Sequence, residues 1–412
     1  MGMEPKQLFG MALGLSEPWY ITSLTFSQEQ KRLDIHIDFR RGAIFPLAGH
    51  EGSHKVHDTV EKTWRHLNFF QHECYLHCRT PRVKLDSGQV LLADPPWAGK
   101  SAGFTLLFEA LLMQLLTYMP VAEVSRVVGE SDDKLWRMLE RYVDMARLQL
   151  DFSKVKAVGL DETSRRKGHD YITLFVDLEA RRTMFIAEGK DAATMPSFLL
   201  DFKAHGGEPE RIERLSMDMS PAFISAAEKN LPKAEITFDR FHIMKLINEA
   251  VDEVRRQEVK TEPLLHKARY VLLKNRENLT ESQRAHRDVL DQKGFRLKSY
   301  RAMRMREYFQ EAYREETFVS FREHLYKWYW WATHSRIRPM VEVAKTIRNH
   351  WLGVLNWVKN RDSNGILEGL NSLVQSAKSK ARGYRTLKNL KIITYLVTAK
   401  LDFSKVNPAL VT

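Results

Sequence analysis

Between residues 155 and 240 the chain follows an order that few folds accommodate. Apolar, β-forming runs at 155–160, 171–178 and 183–187 succeed one another across turn-length gaps, which predicts a strand and its hairpin partners. A helix is then expected over 192–202, a strand over Arg214–Met217, and a helix over Pro221–Asn230 with proline in its first turn. A short strand over Glu235–Phe238 and a helix from about Arg240 complete the series. Two of these strands end in a carboxylate: Val158-Gly159-Leu160-Asp161-Glu162 and Leu215-Ser216-Met217-Asp218-Met219.

Three strands followed by helix, strand, helix and strand is the order of a ribonuclease-H-like mixed sheet. In that arrangement the strands ending at Asp161 and Asp218 are neighbours. Residues from about 260 to 345 interrupt the pattern with helices rich in Arg, Glu, Tyr and Trp, and helices around Glu368 and over 387–401 close it. Upstream, 20–26 and 33–39 alternate apolar and polar residues as half-buried strands do, and 63–67 and 74–83 are again strand-like. Asp94-Pro95-Pro96-Trp97-Ala98-Gly99 is read as a linker. The expected class is multidomain α/β. A β-rich module over 1–100 and a helix-turn-helix over 101–150 precede the first part of the sheet domain over 151–260. An all-helical insertion over 261–345 follows, and the last part of the core, with basic C-terminal helices, runs over 346–412.

The helix-turn-helix is predicted from its punctuation. Val121–Val128 forms a short helix after Pro120, Gly129 takes the turn, and Ser131 caps a helix starting at Asp132. Leu135, Leu139 and Tyr142 share an apolar face, and Lys134, Arg137 and Arg141 fall at helical spacing on another. A greasy back and a basic front are what a DNA-recognition helix requires. An ordinary helical hairpin with a solvated basic face is the alternative.

Charge points the same way. The net charge is +12, which suits a polyanionic partner. Cys74 and Cys78 are the only cysteines, which excludes a disulfide framework and fits a reducing compartment. The apolar stretch 106–119 is too short and interrupted to span a bilayer, so no membrane is expected and the cytoplasm is the default location. Gly99-Lys100-Ser101 resembles the tail of a phosphate-binding loop, but Asp94 stands where its first glycine is required, and ATP is not implied.

A third carboxylate, Glu368, sits in Ser363-Asn364-Gly365-Ile366-Leu367-Glu368-Gly369-Leu370-Asn371, followed by a basic tract with no acid before Asp402. Carboxylates brought together from distant segments repel and raise one another's pKa, and a cation reconciles them. Mg²⁺ takes oxygen ligands and completes its shell with water and phosphate, and two such ions can serve both oxygens of a phosphodiester displacement. Taken singly, an Asp just after a strand, as Asp161 and Asp218 are, is more often a turn or helix-cap residue than a ligand, and Glu368 alone is a solvated helix position. Glu162 alternates to the other face of an extended segment and is kept out of the set. Lys378, Lys380, Arg382, Arg385, Lys388 and Lys391 suit DNA phosphates, with a solvated helix face as the alternative.

The segments Gly159-Leu160-Asp161-Glu162, Ser216-Met217-Asp218-Met219-Ser220, Phe238-Asp239-Arg240-Phe241-His242 and Ser363 through Asn371, continuing to Lys380-Ala381-Arg382-Gly383-Tyr384-Arg385, resemble the ISL3 family of bacterial insertion-sequence transposases. The resemblance covers essentially the whole chain, in the family's order. It implies that Asp161, Asp218 and Glu368 form an Asp-Asp-Glu triad holding Mg²⁺ or Mn²⁺, in a pair of ions. The long gap before Glu368 is then the all-helical insertion of related transposases. Asp239 and His242 match a Cys/Asp-x-x-His motif and, with Asn364 and Asn371 of the signature, count as accessory residues. Within the insertion, Tyr326, Trp328, Tyr329, Trp330 and Trp331 near Arg336 and Arg338 are read first as core, with stacking on unpaired bases as the alternative.

One feature departs from the family. Its opening zinc ribbon of paired cysteines is replaced here by Phe45-Pro46-Leu47-Ala48-Gly49 and Lys84-Leu85-Asp86-Ser87-Gly88, so zinc is not expected despite nearby His50, His54, His57, His72 and His77. The resemblance implies a transposase, located with the bacterial nucleoid, that binds double-stranded DNA at the inverted repeats of its element. It would cut there and join the ends to target DNA, as a dimer or larger assembly. The rivals are a non-catalytic DNA-binding protein descended from a transposase and a simple metal-dependent nuclease.

Overall fold

A computed structural model describes residues 3–47, 49–101, 103–166, 170–189, 191, 193–360 and 363–410, with the backbone alone at Arg166, Asp170, Ser363 and Asn364. The chain divides into two compact units. One takes the described residues up to Leu150 together with Ala377–Val397 and those from Leu401 on; the other takes Asp151–Ser376 and Thr398–Lys400.

In the first unit a short helix α1 (Pro5–Ala12) precedes strands β1 (Trp19–Ser27), β2 (Arg32–Phe39), β3 (Ile44–Pro46), β4 (Ser53–Phe69), β5 (His72–Lys84) and β6 (Val90–Leu92). They form a mixed sheet in the order β1-β2-β5-β4-β3, with β2 and β5 parallel and β6 added to β5. Alternation along β2 and β5 turns Leu33, Ile35, Ile37, Cys74, Leu76 and Cys78 into the core. The expected linker is part of that core. Trp97 is buried with its ring 5.1 Å from Trp19 and 6.2 Å from Trp64, because the Asp-Pro-Pro turn folds the chain back over the sheet.

Helices α2 (Leu106–Tyr118), α3 (Val121–Val128) and α4 (Asp132–Arg147) follow. Gly129 takes the left-handed conformation predicted for the turn, at φ 74°. Ser131 occupies the cap position of α4, but its side chain makes no cap hydrogen bond. The buried face of α4 is Leu135, Met138, Leu139, Tyr142, Val143 and Ala146. A polar knot lies beneath it. Glu109, fully buried on α2, accepts from the backbone N–H groups of Lys100 and Ser101 and from the Tyr142 hydroxyl, each at 2.7 Å. Burial pushes its carboxyl up against those bonds. Gly99 closes the turn over this group, and a Cβ there would stand 2.5 Å from both Glu109 Cδ and Phe104 O. Gly99→Ala is therefore expected to destabilise this unit by roughly 1–3 kcal/mol, as overpacking a tight site does. Denaturant unfolding followed by tryptophan fluorescence checks it, and an unchanged midpoint would mean that the turn relaxes freely.

In the second unit β7 (Ala157–Arg166), β8 (Asp170–Asp177) and β9 (Arg182–Glu188) form an antiparallel meander, followed by α5 (Thr194–Ala204), β10 (Arg214–Met217), α6 (Pro221–Asn230), β11 (Glu235–Phe238) and α7 (Arg240–Glu258). The sheet order is β11-β10-β7-β8-β9, with β10 and β11 added in parallel on the free side of β7. Helices α8 (Arg269–Leu273), α9 (Glu281–Lys293), α10 (Lys298–Ala312), α11 (Phe318–His334) and α12 (Arg338–Asn349) occupy the interruption. The chain then runs through α13 (Trp351–Leu355), α14 (Ser363–Lys380) and α15 (Leu387–Thr398), the last ending short of the expected Leu401. Trp328 is core, its Nε1–H donating to Met305 O at 3.0 Å, which removes it from any stacking surface. Trp330 is exposed and stacks on His334 at 4.6 Å. Among the described residues no helix is long and apolar enough to cross a membrane.

Candidate active site

The strand carrying Asp161 does not end there. It starts at Ala157 and runs to Arg166, because β8 pairs with it along its whole length, Asp161 standing opposite Leu174. What ends near Asp161 is the parallel neighbour. Gly159 pairs with Ser216 of β10, and Ser216 with Thr237 of β11. Two residues further on, the same register sets Asp161, Asp218 and Asp239 level with one another, at the carboxyl ends of β10 and β11. The Asp239 N–H still donates to Met217 O at 3.0 Å, so the ladder persists to that row. A two-residue step returns a strand to the same face, so the three carboxylates share one side of the sheet.

Helix α14 lies over that face. Leu367 packs on Gly159, where a Cβ would stand 2.8 Å from Leu367 Cδ2 and force that side chain to shift. Asn371 donates through Nδ2 to Asp161 Oδ2, and Gln375 donates through Nε2 to Thr163 Oγ1 at 2.7 Å. Residues 367, 371 and 375 thus meet 159, 161 and 163. The match follows from geometry, since four helical residues advance about 6 Å and two strand residues about 6.6 Å. Glu368 follows Leu367 and is turned about 100° from that stripe. Its side chain is exposed, within electrostatic reach of Asp239.

Burial, first of all, pushes the Asp161 carboxyl up to about 6; the Glu162 N–H and His242 oppose this, while Asp239 and Asp218 add to it. Asp239, only 4% exposed, is raised by burial too, against the Phe241 N–H that it caps and His242, with Glu368 and Asp218 reinforcing the rise. Its cap bond to Phe241 N, at 2.7 Å, starts α7 and places His242 Nε2 4.0 Å from Asp161 Oδ1. Asp218 is half-buried and accepts from the Ser220 N–H at 2.9 Å.

The predicted triad is therefore distributed unevenly. Asp161 and Asp218 stand side by side with Asp239, and Glu368 comes in from the flank of α14. The side chain of Asn364 lies outside the described residues. Carboxylate oxygens, with the partnerless buried Oδ1 of Asn371, are the hard donors that a small divalent cation takes. Among the described residues no three His, Cys, Asp or Glu side chains form a ready-made cage, and the Glu368 side chain is exposed. Sequence reading missed the ladder from Leu367 to Gln375, whose only signal was its fourfold spacing.

Of the basic residues, Lys134, Arg137 and Arg141 are exposed on α4, and Lys380, Arg382, Arg385 and Lys388 are exposed in and after the last turn of α14. Lys378 is half-buried. Lys134 pairs with Glu130 at 2.8 Å and Lys388 with Glu140 at 2.6 Å.

Three family models match the chain. A model described as a transposase domain of the ISL3 type matches residues 158–394, and one described as the helix-turn-helix domain of transposase family ISL3 matches 93–143. A third, the zinc-finger of the IS204/IS1001/IS1096/IS1165 transposases, matches 50–84. The two thiols in that last stretch cannot share one zinc ion. Cys74 and Cys78 lie four residues apart on one face of β5, about 13 Å along the strand, too far to share an ion with Zn–S bonds of about 2.3 Å. Burial raises their thiols to about 11 and about 12, which keeps them neutral. The chain is similar to the transposase for insertion sequence element IS1001 of Bordetella parapertussis, with 28% identity over 80% of this chain and 83% of that protein. It is similar as well to the transposase for IS1557 of Mycobacterium tuberculosis strain H37Rv, with 26% identity over 96% of each chain.

Proposed function

This chain belongs to the ISL3 family of transposases and is a DNA transposase, and we propose that Asp161, Asp218 and Glu368 are the carboxylates with which it cuts and joins DNA. The observation that carries the assignment is the level row of Asp161 and Asp218 under α14, with Glu368 on the flank of that helix. Three antiparallel strands followed by two added in parallel beside the first is the ribonuclease-H-like order, and the sheet is read as that fold. The DDE transposase family generally uses divalent metal ions. Here the triad would hold two, Mg²⁺ or Mn²⁺, whose chemistry is to acidify water and offset charge on the reacting phosphate.

The chain's own residues do the rest. The Glu162 N–H, at 2.8 Å, holds one oxygen of Asp161, and Asn371 fixes the other. The Ser220 N–H does the same for Asp218. His242 faces Asp161 and offers a positive charge or a proton beside the phosphate when protonated. Two displacements follow at one phosphodiester-binding place. First, water's oxygen joins phosphorus at the transposon end and the 3′ oxygen leaves, taking a proton. Then that 3′ oxygen joins a target phosphorus, and the target's own 3′ oxygen leaves. The helix-turn-helix would select the terminal inverted repeats through Lys134, Arg137 and Arg141. Holding two ends at once asks for at least two copies of the chain.

End-labelled inverted-repeat DNA with Mg²⁺ or Mn²⁺ tests this. Nicking at the repeat boundary and joining to a second duplex are expected. Binding without metal-dependent cutting would leave a DNA-binding protein only, and cutting without joining a nuclease.

A further inference from the structure

The helix-turn-helix lacks the charge its partner demands. Residues 101–150 carry seven Asp and Glu against five Lys and Arg. On α4 itself, Asp132, Asp133, Glu140 and Asp144 offset Lys134, Arg137, Arg141 and Arg147. Attraction to phosphate supplies most of non-specific DNA affinity and much of specific affinity. This segment alone offers little of it.

The missing charge lies at the other end of the chain. Residues 377–397 belong to the same compact unit as α4, and they hold six Lys and Arg and no acid. Three contacts tie them to one flank of α4. The Trp136 ring meets Tyr384 edge-on at 6.3 Å, Glu140 pairs with Lys388 at 2.6 Å, and the Arg147 guanidinium lies 4.2 Å over Tyr395. Positions 136, 140 and 147 share one side of a helix, its centre about 110° from the centre of the row of Lys134, Arg137 and Arg141. The clamp therefore leaves the basic row exposed. Lys388 also offsets Glu140 and faces Asp144, two acids of the same helix. Further along, Asn407 is fully buried and donates through Nδ2 to the Tyr142 hydroxyl at 2.9 Å and to Leu106 O at 2.8 Å, so the C-terminal segment is anchored in the same core.

The turn between α14 and α15 is equally built. Arg382 and Gly383 adopt left-handed conformations at φ 55° and 95°, the Gly383 N–H donates to Lys378 O at 2.8 Å, and the Tyr384 hydroxyl donates to Ala377 O at 3.2 Å. Lys380, Arg382 and Arg385 are held exposed on this turn, next to the ring that touches Trp136.

We infer that the DNA-reading surface is composite: α4 reads the groove, and the 380–385 turn, clamped to its flank, grips the phosphates beside it. The inference rests on repeat binding by the helix-turn-helix, and it assigns the basic turn to that duplex rather than to the reacting strands. Full-length chain, without divalent ions, would be titrated with a labelled inverted-repeat duplex over a range of salt. The triple variant Lys380→Gln, Arg382→Gln, Arg385→Gln alters only exposed side chains, and an unchanged circular dichroism melt confirms its fold. A lost phosphate contact flattens the salt dependence by about 0.9 in log K per log salt. The variant should therefore lose a slope of about 2–3 and at least tenfold in affinity at about 0.15 M salt. Its preference for repeat over unrelated DNA should persist, whereas Arg137→Ala should relax that preference. An unchanged slope overturns the composite surface. So does intact binding with lost cutting, which would place these cations on the reacting DNA. Native chain that binds the repeat but never cuts it counts against the triad and leaves this surface standing.

Discussion

Asp218→Asn is expected to leave the protein folded and bound to its repeat DNA while slowing metal-dependent strand cleavage by roughly a thousandfold or more. The substitution is nearly isosteric, and asparagine Oδ1 can still accept from the Ser220 N–H that now bonds Asp218. What disappears is one negative charge from the row that it shares with Asp161 and Asp239. Removing a single group that stabilises transition-state charge costs about 10²–10³ in rate, and a direct cation ligand sits at or above the top of that range. Asp161→Asn and Glu368→Gln should match it, because three ligands acting on one reaction are non-additive and the first loss takes nearly everything. Asp239→Asn separates the roles. Asparagine still caps α7 through the Phe241 N–H, so a loss of only about 10–100-fold would mark Asp239 as support for the triad. Nicking of labelled repeat DNA under single-turnover conditions gives the rates. Asp218→Asn within tenfold of the native rate would remove Asp218 from the chemistry.

The sequence displayed the sheet unit well because its strands are short, apolar and sharply punctuated. β10, α6 and β11 begin and end where the apolar runs and Pro221 place them. At β7 the same logic misplaced the end. The apolar run stops at Leu160 because the parallel neighbour β10 stops there, whereas the polar residues beyond it stay extended through pairing with β8. An apolar run reports burial on both faces, and only half of β7 has that. The row of Asp161, Asp218 and Asp239 depends on register between strands more than fifty residues apart in part, a long-range quantity that no local pattern carries. Trp97 illustrates the same limit. Its Asp-Pro-Pro surroundings are a genuine breaker, yet its ring closes a core begun at Trp19. The basic tract after Glu368 follows the glutamate in sequence, but the ten helical residues from Glu368 to Lys378 carry the chain about 15 Å, and the residues from Ala377 to Val397 group with the recognition helix.

The second large effect is a linkage between protons, cation and stability at Asp161. In the cation-free protein its folded pKa of about 6 lies above the ordinary 3.8, mainly through burial. A raised folded pKa means that the protonated form is the better tolerated one. The stabilisation is complete below about pH 3.8 and is lost as pH rises through about 6. The shift corresponds to about 3 kcal/mol, and the side chain, 17% exposed, is screened little by water. Asp161→Asn removes the titration and keeps the shape. The native chain should therefore lose roughly 3 kcal/mol relative to the variant between about pH 4 and pH 7.5 when no divalent ion is present. Mg²⁺ should restore stability to the native chain at about pH 7.5, where the carboxylate is free to accept it. At about pH 5, where a proton must first be displaced, it should restore far less, and the variant should respond weakly at both. Urea unfolding of both chains across pH, with chelator and with Mg²⁺, reads all of this. Parallel pH curves for native and variant chains would mean that Asp161 ionises in the folded protein as freely as in the unfolded one, and would remove the reason for a cation to settle there.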